Sequence, residues 1–353
     1  MKYSIVVPVY NRPDEVDELL ASLCSQTLRD YEVVIVEDGS QKPCKDVCDK
    51  YASILDLHYY FKDNSGPGQS RNFGVERAHG DYVIILDSDV VLPEGFIQAV
   101  DDELKVDDTP SGTEQPIAAW GGPDASHPSF TPVQKAISYS MTSFFTTGGI
   151  RGGKKKLDKF YPRSFNMGIR RDVYQQLGGF SKMRFGEDID FSYRIVEAGY
   201  QPRLFPKAWV WHKRRTDFRK FFRQVYNSGI ARINLEKRHP GTLKLVHLLP
   251  MVFTLGVIVL ILCSAVGRAL MHYDDVHRWY WLCAAPWLPI LFYSLVICVD
   301  STLQNKSLKV GLLSIPAAFV QLMGYGFGFI ESWWKRCVLK QDEFTAFEKN
   351  FYK

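Results

Sequence analysis

Two carboxylates spaced two residues apart, Asp87 and Asp89, directly follow an apolar run, Tyr82–Leu86. The run predicts a buried strand of a parallel sheet, and open α/β sheets bind ligands beyond the carboxyl ends of their strands. Because hard divalent cations prefer oxygen ligands, both carboxylates could share one cation there, and that cation would neutralise a diphosphate. The alternative is a polar turn at the strand end, since Asp-x-Asp is frequent by chance.

Polar side chains also follow three other predicted strands. Asn11 comes after the first strand, Asp38 follows the second, and His212 ends a short strand late in the chain. The carboxyl ends of parallel strands meet at one edge of a doubly wound sheet. We therefore expect these residues to lie near Asp87 and Asp89, and this convergence strengthens the prediction of a functional site.

Apolar runs and helical periodicity alternate along the first part of the chain, which predicts right-handed βαβ units and a doubly wound, mostly parallel sheet. The predicted strands are Tyr3–Val9, Glu32–Val36, Leu57–Phe61, Tyr82–Leu86, Ile117–Trp120, Phe165–Arg170 and Trp209–His212. One predicted helix begins at Pro13, and two others cover Gln69–Ala78 and Asp190–Ala198. The predicted loops are 105–116 and Gly148–Lys159.

The chain has 353 residues, 46% of them hydrophobic, and a net charge of only +4. These values allow two or three folding units with large cores. From Arg203 to Lys244 there are 12 Lys or Arg residues against two acids, which suits anionic partners such as diphosphates or acidic lipid head groups. Cys44 and Cys48 have no further Cys or His nearby to complete a zinc set, so the cysteines are expected to be reduced and cytosolic.

Three uncharged apolar runs occur late in the chain: Leu245–Val266, Trp279–Val299 and Val310–Ile330. Each is long enough to cross a hydrocarbon core of ~30 Å. The third contains Pro316 and three spaced glycines, so close helix packing or a re-entrant segment is an alternative there.

The basic block precedes the first run, and the positive-inside rule then places the N-terminal part in the cytosol. The N-terminus lacks the features of a signal peptide. We predict a multi-pass protein of the inner (plasma) membrane with a cytosolic catalytic domain at 1–235, a membrane region at 236–335 and a tail at 336–353. Nucleic acid is not an expected partner, because the apolar runs follow the basic block.

Five motifs, in this order, resemble those of the family 2 glycosyltransferases, nucleotide-sugar enzymes of the GT-A type. The matching segments are Ile5–Asn11, Glu37–Ser40, Gly68–Gly74, Leu86–Asp89 and Gly186–Asp190. The resemblance covers about residues 1–215, and five ordered motifs are far more specific than one. It implies an inverting transferase that uses Mn²⁺ or Mg²⁺ and a nucleotide-diphosphate sugar, with a UDP-sugar as the expected donor.

The resemblance also implies roles for individual residues on the donor side. Asp38 would accept a hydrogen bond from the imide N–H of uracil, and Arg71, near the start of a helix, would attract an anion. Asp89 would bind the metal, Asp87 the metal or the ribose, and His212 would be a further ligand. The other expected donor-binding residues are Pro8 and Tyr10 around the base, Asn11, Trp120 stacked on a sugar face, and Arg214 and Arg215 on the diphosphate. Each has a structural alternative: core packing, a turn, a solvated arginine or a structural histidine.

On the acceptor side, the resemblance implies that Asp188 is the general base that deprotonates the acceptor hydroxyl. Glu187 is the alternative base, and Asp190 is expected at a helix start. Capping of that helix is the structural alternative. Inverting transfer needs one base, because the nucleophile attacks opposite the leaving diphosphate in a single displacement. The lysines at 154–156 could form a loop that orders over the donor.

Residues 222–227 lack the Gln-x-x-Arg-Trp element of processive polysaccharide synthases. We therefore expect transfer of a single sugar to a lipid-linked or glycan acceptor at the membrane. Polyprenyl phosphate itself is an alternative acceptor. A sugar nucleotidyltransferase is disfavoured because no Gly-rich loop follows the first strand, and a nonenzymatic scaffold is disfavoured by the intact set of acids.

Overall fold

The structure, a computed structural model, describes residues 1–107, 117–127, 129–147, 160–213, 216–270 and 283–347. These residues form two compact units. Unit 1 comprises 1–127 and 160–213, and unit 2 comprises 129–147 and 216–347, as far as they are described.

A seven-stranded sheet forms the centre of unit 1, with the strand order β3-β2-β1-β4-β8-β6-β9. Its strands are β1 (Tyr3–Val9), β2 (Tyr31–Asp38), β3 (Leu57–Lys62), β4 (Tyr82–Leu86), β6 (Ala119–Gly121), β8 (Asn166–Arg170) and β9 (Arg203–Leu204). Strands β1 to β4 pair parallel to one another, whereas β8 is antiparallel to both β4 and β6. The predicted mostly parallel α/β architecture is confirmed.

Helices cover both faces of this sheet. On one face lie α1 (Pro13–Cys24), α2 (Lys45–Tyr51) and α4 (Phe96–Asp107), and on the other α3 (Pro67–Val75), α7 (Arg171–Gln176) and α8 (Glu187–Glu197). All seven residues of β1 and all eight of β2 are buried, which explains why these strands read as continuous apolar runs rather than as alternating patterns. Each buried Val, Leu or Ile contributes roughly 1.5–3 kcal/mol, so this double core rigidly positions the loops at the carboxyl edge.

Helix α3 lies unusually close to the sheet because Gly74 faces it. A Cβ on Gly74 would lie 2.5 Å from a methyl carbon of Val6 and 3.1 Å from one of Val36, closer than real contacts allow. The missing side chain lets the helix approach the strands. This approach places the first turns of α3, including Arg71, beside the carboxyl edge.

A second, three-stranded sheet consists of β5 (Val90–Val91), β10 (Val210–His212) and β7 (Asp124–Ala125) in the order β5-β10-β7. Strand β5 directly follows the Asp-x-Asp turn after β4, and β10 carries the histidine predicted to join it. The pairing of β5 with β10 therefore joins two distant parts of the chain at the edge of the large sheet.

Unit 2 is entirely helical in its described residues. Its helices are α5 (Pro132–Thr142), α6 (Phe144–Thr147), α9 (Phe218–Arg238), α10 (Leu249–Leu270), α11 (Leu288–Asn305) and α12 (Leu308–Trp333), with single-turn segments at Leu245–Leu248, Ala285–Trp287 and Trp334–Val338. Helices α9 and α5 belong to the compact unit of the apolar helices. The units thus divide before α9, whereas the predicted domain boundary at 235, which stays a prediction, lies within that helix.

Close packing of α9 against α12 explains this difference. A Cβ on Gly229 would lie 2.2 Å from the carbonyl oxygen of Tyr325, and one on Gly328 would lie 2.0 Å from that of Tyr226. Glycines on both helices thus let the two backbones touch. Hydropathy alone could not reveal this, because α9 is itself a polar, basic helix.

Three helical segments are long and apolar enough to cross a membrane: Leu245–Leu270, Ala285–Asn305 and Leu308–Val338. The first two bury only 11% of their most apolar windows within the protein, against 44% for the third, so their side chains present apolar surface outward. The third is one continuous α-helix through Pro316, not the broken helix of a re-entrant segment. These features are consistent with association with a membrane.

The close contact between α9 and α12 leads to a prediction about the stability of the protein. Gly328→Ala should lower the melting temperature of the full chain in detergent, because the added methyl group forces α9 and α12 apart, at a cost of about 1–3 kcal/mol. Gly256→Ala is the matched control, since a Cβ at this position in α10 meets nothing within 4 Å. Equal melting temperatures for the two variants would contradict the proposed contact.

Candidate active site at the carboxyl edge of the sheet

The small sheet brings His212 beside Asp89. Strand β10 runs antiparallel to β5 with His212 opposite Val90, and the backbone N–H of Lys213 donates to the carbonyl of Asp89 at 3.0 Å. As a result, Nε2 of His212 lies 3.3 Å from Oδ1 of Asp89. One ligand atom from each of Asp87, Asp89 and His212 lies within 4.8 Å of the other two.

This donor set fits a divalent cation. Two carboxylates supply the hard oxygen ligands that Mg²⁺ and Mn²⁺ prefer, and an imidazole adds a nitrogen ligand that transition metals accept. In the described part of the chain this is the one group of three such side chains found so close together. The Asp89 side chain is 10% exposed and that of Asp87 31%, so the site opens to solvent on the Asp87 side.

Arg71 links this centre to helix α8. Its side chain is 4% exposed, and its two terminal nitrogens donate to Asp87 at 2.8 Å and to Glu187 at 2.9 Å. Burial lowers the pKa of Arg71, but the charges of Asp87 and Glu187 outweigh this effect, so the net shift is upward and the guanidinium stays charged. Contact of Arg71 with the donor stays a prediction, to which the structure adds two ion pairs within the protein.

Helix α8 begins at the two predicted base candidates. Gly186 precedes it with φ of +84°, a conformation that glycine adopts readily. Glu187 is buried against Arg71, and burial raises its pKa to about 7, against the opposing charge of Arg71 and with the help of Asp188. Asp188 is 13% exposed and forms an ion pair with Nε of Arg163 at 2.8 Å.

Of the two acids, Asp188 is better placed to meet a substrate, because Glu187 lies inside the protein and its Oε1 accepts from Arg71. Asp190 lies within the first turn of α8, where Arg194 pairs with its carboxylate at 3.1 Å. The helix thus begins one turn earlier than predicted. Arg163, which sequence reasoning did not single out, is the ion-pair partner of Asp188.

Asp38 ends β2 and holds the loop that leads into α3. Its Oδ1 accepts from Ser65 N–H at 2.9 Å and from Lys62 Nζ at 2.6 Å, and its Oδ2 accepts from Gly66 N–H at 2.9 Å. A carboxylate oxygen has two lone pairs, so Oδ2 can accept a second donor. Recognition of a base by Asp38 therefore stays a prediction, to which the structure adds a structural role.

Asn11 joins the loop after β1 to the loop after β2. It adopts a left-handed conformation with φ of 55°, which asparagine tolerates. Its Oδ1 accepts from the backbone N–H groups of Gln41 and Lys42 at 2.8 and 2.9 Å, and its own N–H donates to Oγ of Ser40 at 2.7 Å. Pro8 is buried within β1 and Tyr10 is half-buried, so their roles in a base pocket stay predictions.

Arg12 is the most consequential residue that the sequence analysis missed. One terminal nitrogen of its guanidinium lies 2.5 Å from Oδ2 of Asp89. Burial lowers the pKa of Arg12, but the charge and hydrogen bond of Asp89, together with the charges of Glu15 and Asp87, raise it overall. The sequence does indicate that Arg12 lies at the carboxyl edge of the sheet, because Arg12 directly follows the strand-end residue Asn11 and precedes Pro13, where the helix starts.

The prediction for the side chain of Trp120 requires a correction. We expected it to stack on a donor sugar, but its side chain is fully buried in the core of unit 1. It stacks on Phe205 at a centroid distance of 5.3 Å and meets the ring of Tyr82 edge-on at 5.4 Å. Its position in β6, which pairs with a strand on each side, and its packing in the core of unit 1 explain this burial. Arg214, Arg215 and the lysine loop at 154–156 lie outside the described residues.

Residues 4–178 match the model of the family described as glycosyl transferase family 2, and the chain belongs to this family. The family places it among the glycosyltransferases.

A pre-mycofactocin glycosyltransferase of Mycobacterium tuberculosis is 26% identical over 283 residues, which cover 76% of this chain and 53% of the relative. A poly(ribitol-phosphate) beta-glucosyltransferase of Bacillus spizizenii is 37% identical over 94 residues, or 25% of this chain and 15% of the relative. The chain thus spans about half the length of the first of these relatives.

Among solved structures, a mannosyltransferase from Pyrobaculum calidifontis, in complex with GDP-Man and Mn²⁺, superposes with a TM-score of 0.54. It is 16% identical, and the match covers 86% of this chain and 87% of that structure. This likeness supports the GT-A fold of the N-terminal part, as the resemblance implied.

The raised pKa of Glu187 predicts a pH-dependent stability. Because the folded-state pKa of about 7 exceeds the usual 4.5, the folded chain binds this proton more tightly than the unfolded chain. The free energy of unfolding should therefore fall as pH rises from about 4.5 to about 7, by at most ~1.4 kcal/mol per pH unit, and level off above.

Thermal unfolding of the wild type and of Glu187→Gln across this pH range checks the prediction, since the variant should lack this component of the slope. Glu76→Gln is the control, because the side chain of Glu76 is 72% exposed. A slope that Glu187→Gln leaves unchanged would show that Glu187 does not hold the proton.

Proposed function

We propose that this protein transfers a single sugar, with inversion, from a nucleotide-diphosphate sugar to a lipid-linked or glycan acceptor at a membrane. One observation carries the proposal: Asp87, Asp89 and His212 lie within reach of one cation, while Arg71 ties Asp87 to the start of α8, where the side chain of Asp188 is 13% exposed. Membership of the glycosyl transferase family 2 supports it.

In the proposed reaction, Asp188 accepts the proton of the acceptor hydroxyl. The hydroxyl oxygen attacks the anomeric carbon opposite the bond to the diphosphate, and that bond breaks with its electron pair going to the nucleoside diphosphate. Asp87, Asp89 and His212 would hold a divalent cation, which when bound supplies Lewis-acid stabilisation of the leaving group. Asp38 and the loop it holds would contact the base.

The three apolar helices support an acceptor at a membrane, because a protein held there meets a lipid-linked glycan by diffusion in two dimensions. The proposed location is the inner membrane, with the N-terminal part in the cytosol, where nucleotide sugars are made. A UDP-sugar is the proposed donor. GDP-sugars belong in the same test, because the structural neighbour from Pyrobaculum calidifontis binds GDP-Man.

A screen of UDP- and GDP-sugars for Mn²⁺-dependent thermal stabilisation of the full chain tests the proposal. A ligand at 100 times its Kd stabilises the folded state by about 2.7 kcal/mol. Asp89→Asn should abolish the metal-dependent part of the stabilisation. Asp172→Asn should retain it, because Asp172 follows β8 at the opposite edge of the sheet and pairs with Arg170. Stabilisation by none of the nucleotide sugars would count against the function.

A second prediction concerns the base. Asp188→Asn should leave donor binding nearly intact while turnover, measured as release of nucleoside diphosphate in the presence of acceptor, falls by ~10² or more. Glu187→Gln should instead change stability as well as turnover, because Glu187 is a buried partner of Arg71. Normal turnover in Asp188→Asn would remove Asp188 from the mechanism.

A further inference from the structure

Each carboxylate of the candidate metal centre has an arginine on one of its oxygens. Arg71 donates to Oδ1 of Asp87 at 2.8 Å, and Arg12 lies 2.5 Å from Oδ2 of Asp89. The two negative charges that would attract a cation are therefore matched by two guanidinium groups. Arg71 is shared between Asp87 and Glu187, whereas Arg12 stands against Asp89. A divalent cation that joins these groups adds a double positive charge beside both guanidinium groups, which repel it.

A diphosphate supplies the missing negative charge. In a partly buried site, unit charges a few ångströms apart interact by several kcal/mol at an effective dielectric constant near 20, so the charge balance controls affinity. A cation that binds without a diphosphate is repelled by the positive charges of Arg12 and Arg71. A cation that arrives with a diphosphate brings its own counter-charge, and the diphosphate can also accept hydrogen bonds from a guanidinium.

The two arginines differ in how firmly they are held. Arg71 is 4% exposed and is also bound by Glu187, which keeps it inside unit 1. The side chain of Arg12 is 30% exposed, and in the described part of the chain the ion pair recorded for it is the one with Asp89.

The backbone of Arg12 is held in place on both sides. On one side Asn11 is fixed to the neighbouring loop, and on the other Pro13 opens α1. The guanidinium of Arg12 can therefore move between Asp89 and a ligand while its backbone stays in place.

We propose that Arg12 is a positioning residue that weakens binding of the cation alone and couples it to binding of a nucleoside diphosphate. Arg12 neutralises Asp89 until the diphosphate arrives, and then turns to the diphosphate and leaves Asp89 to the cation. The proposal rests on the proposed function, because it concerns the same site. It assigns a role to Arg12, which lies outside the five motifs, and it explains the ion pair between Arg12 and Asp89, which the transfer step does not require.

Mn²⁺ binding to the full chain in detergent tests this without catalysis, by the loss of the electron paramagnetic resonance signal of free Mn²⁺. Titrations are run with and without UDP or GDP, for the wild type, Arg12→Gln, Arg12→Met and Asp89→Asn. The matched control is Arg170→Gln, which removes one ion-paired arginine at the opposite edge of the sheet. Melting curves identify which of the two Arg12 variants is folded.

We expect the wild type to bind Mn²⁺ at least ~10-fold more tightly with the diphosphate than without it. Arg12→Gln should bind Mn²⁺ alone about tenfold more tightly than the wild type, and the gain from adding the diphosphate should shrink by a similar factor. By linkage, Mn²⁺ should improve diphosphate affinity less in the variant than in the wild type. Arg170→Gln should behave as the wild type.

An unchanged or weaker affinity of Arg12→Gln for Mn²⁺ alone, with binding still abolished by Asp89→Asn, would overturn the role of Arg12 while leaving the proposed function intact. Failure of the wild type to bind Mn²⁺ with either diphosphate would overturn the proposed function and this inference together.

Discussion

The candidate site depends on one buried guanidinium. Arg71 lies between Asp87, at the end of a central strand, and Glu187, at the start of α8, and it pairs with both carboxylates in a set that is largely buried, with the Asp87 side chain 31% exposed. Removing any one member of such a buried set leaves an uncompensated charge, which is far more costly than losing a surface ion pair. The interaction therefore fixes the distance between the candidate metal centre and the start of α8. Gly74 makes it possible, because only a helix without a side chain there can bring Arg71 so near the strands.

Much of this arrangement could be predicted from the sequence. Strands β1 and β4 are observed with the predicted bounds, because an unbroken apolar run buried on both faces is a strong local signal. The place of Asp87 and Asp89 beyond the end of β4 followed from a general property of parallel sheets, whose carboxyl ends share one edge. His212 joins them through the antiparallel pairing of β10 with β5 in the small sheet, a route that the sequence did not indicate. The five ordered motifs predicted the family, and the comparison with known families confirmed that prediction.

What the sequence did not reveal depends on long-range packing. Trp120 looked like a ligand-binding aromatic, but its strand lies inside the sheet and its ring fills the core. Arg12 looked like an ordinary residue before a helix, and its partner Asp89 lies far away in the sequence. Helix α9 reads as part of a soluble domain by its charge, yet glycines on α9 and α12 join it to the apolar helices. In each case the deciding contact joins segments that no local pattern relates.

The pairing of β5 with β10 has a consequence for how the protein is made. The main parallel strands need only the first part of the chain, whereas the candidate metal centre closes through the pairing of Val90 with His212, a contact of high sequence separation that cannot form before β10 has been synthesised. During synthesis the N-terminal sheet can assemble first, and the centre is completed only once β10 has left the ribosome, just ahead of the apolar helices. A nascent chain would thus complete its candidate metal centre shortly before the first of its apolar helices is synthesised.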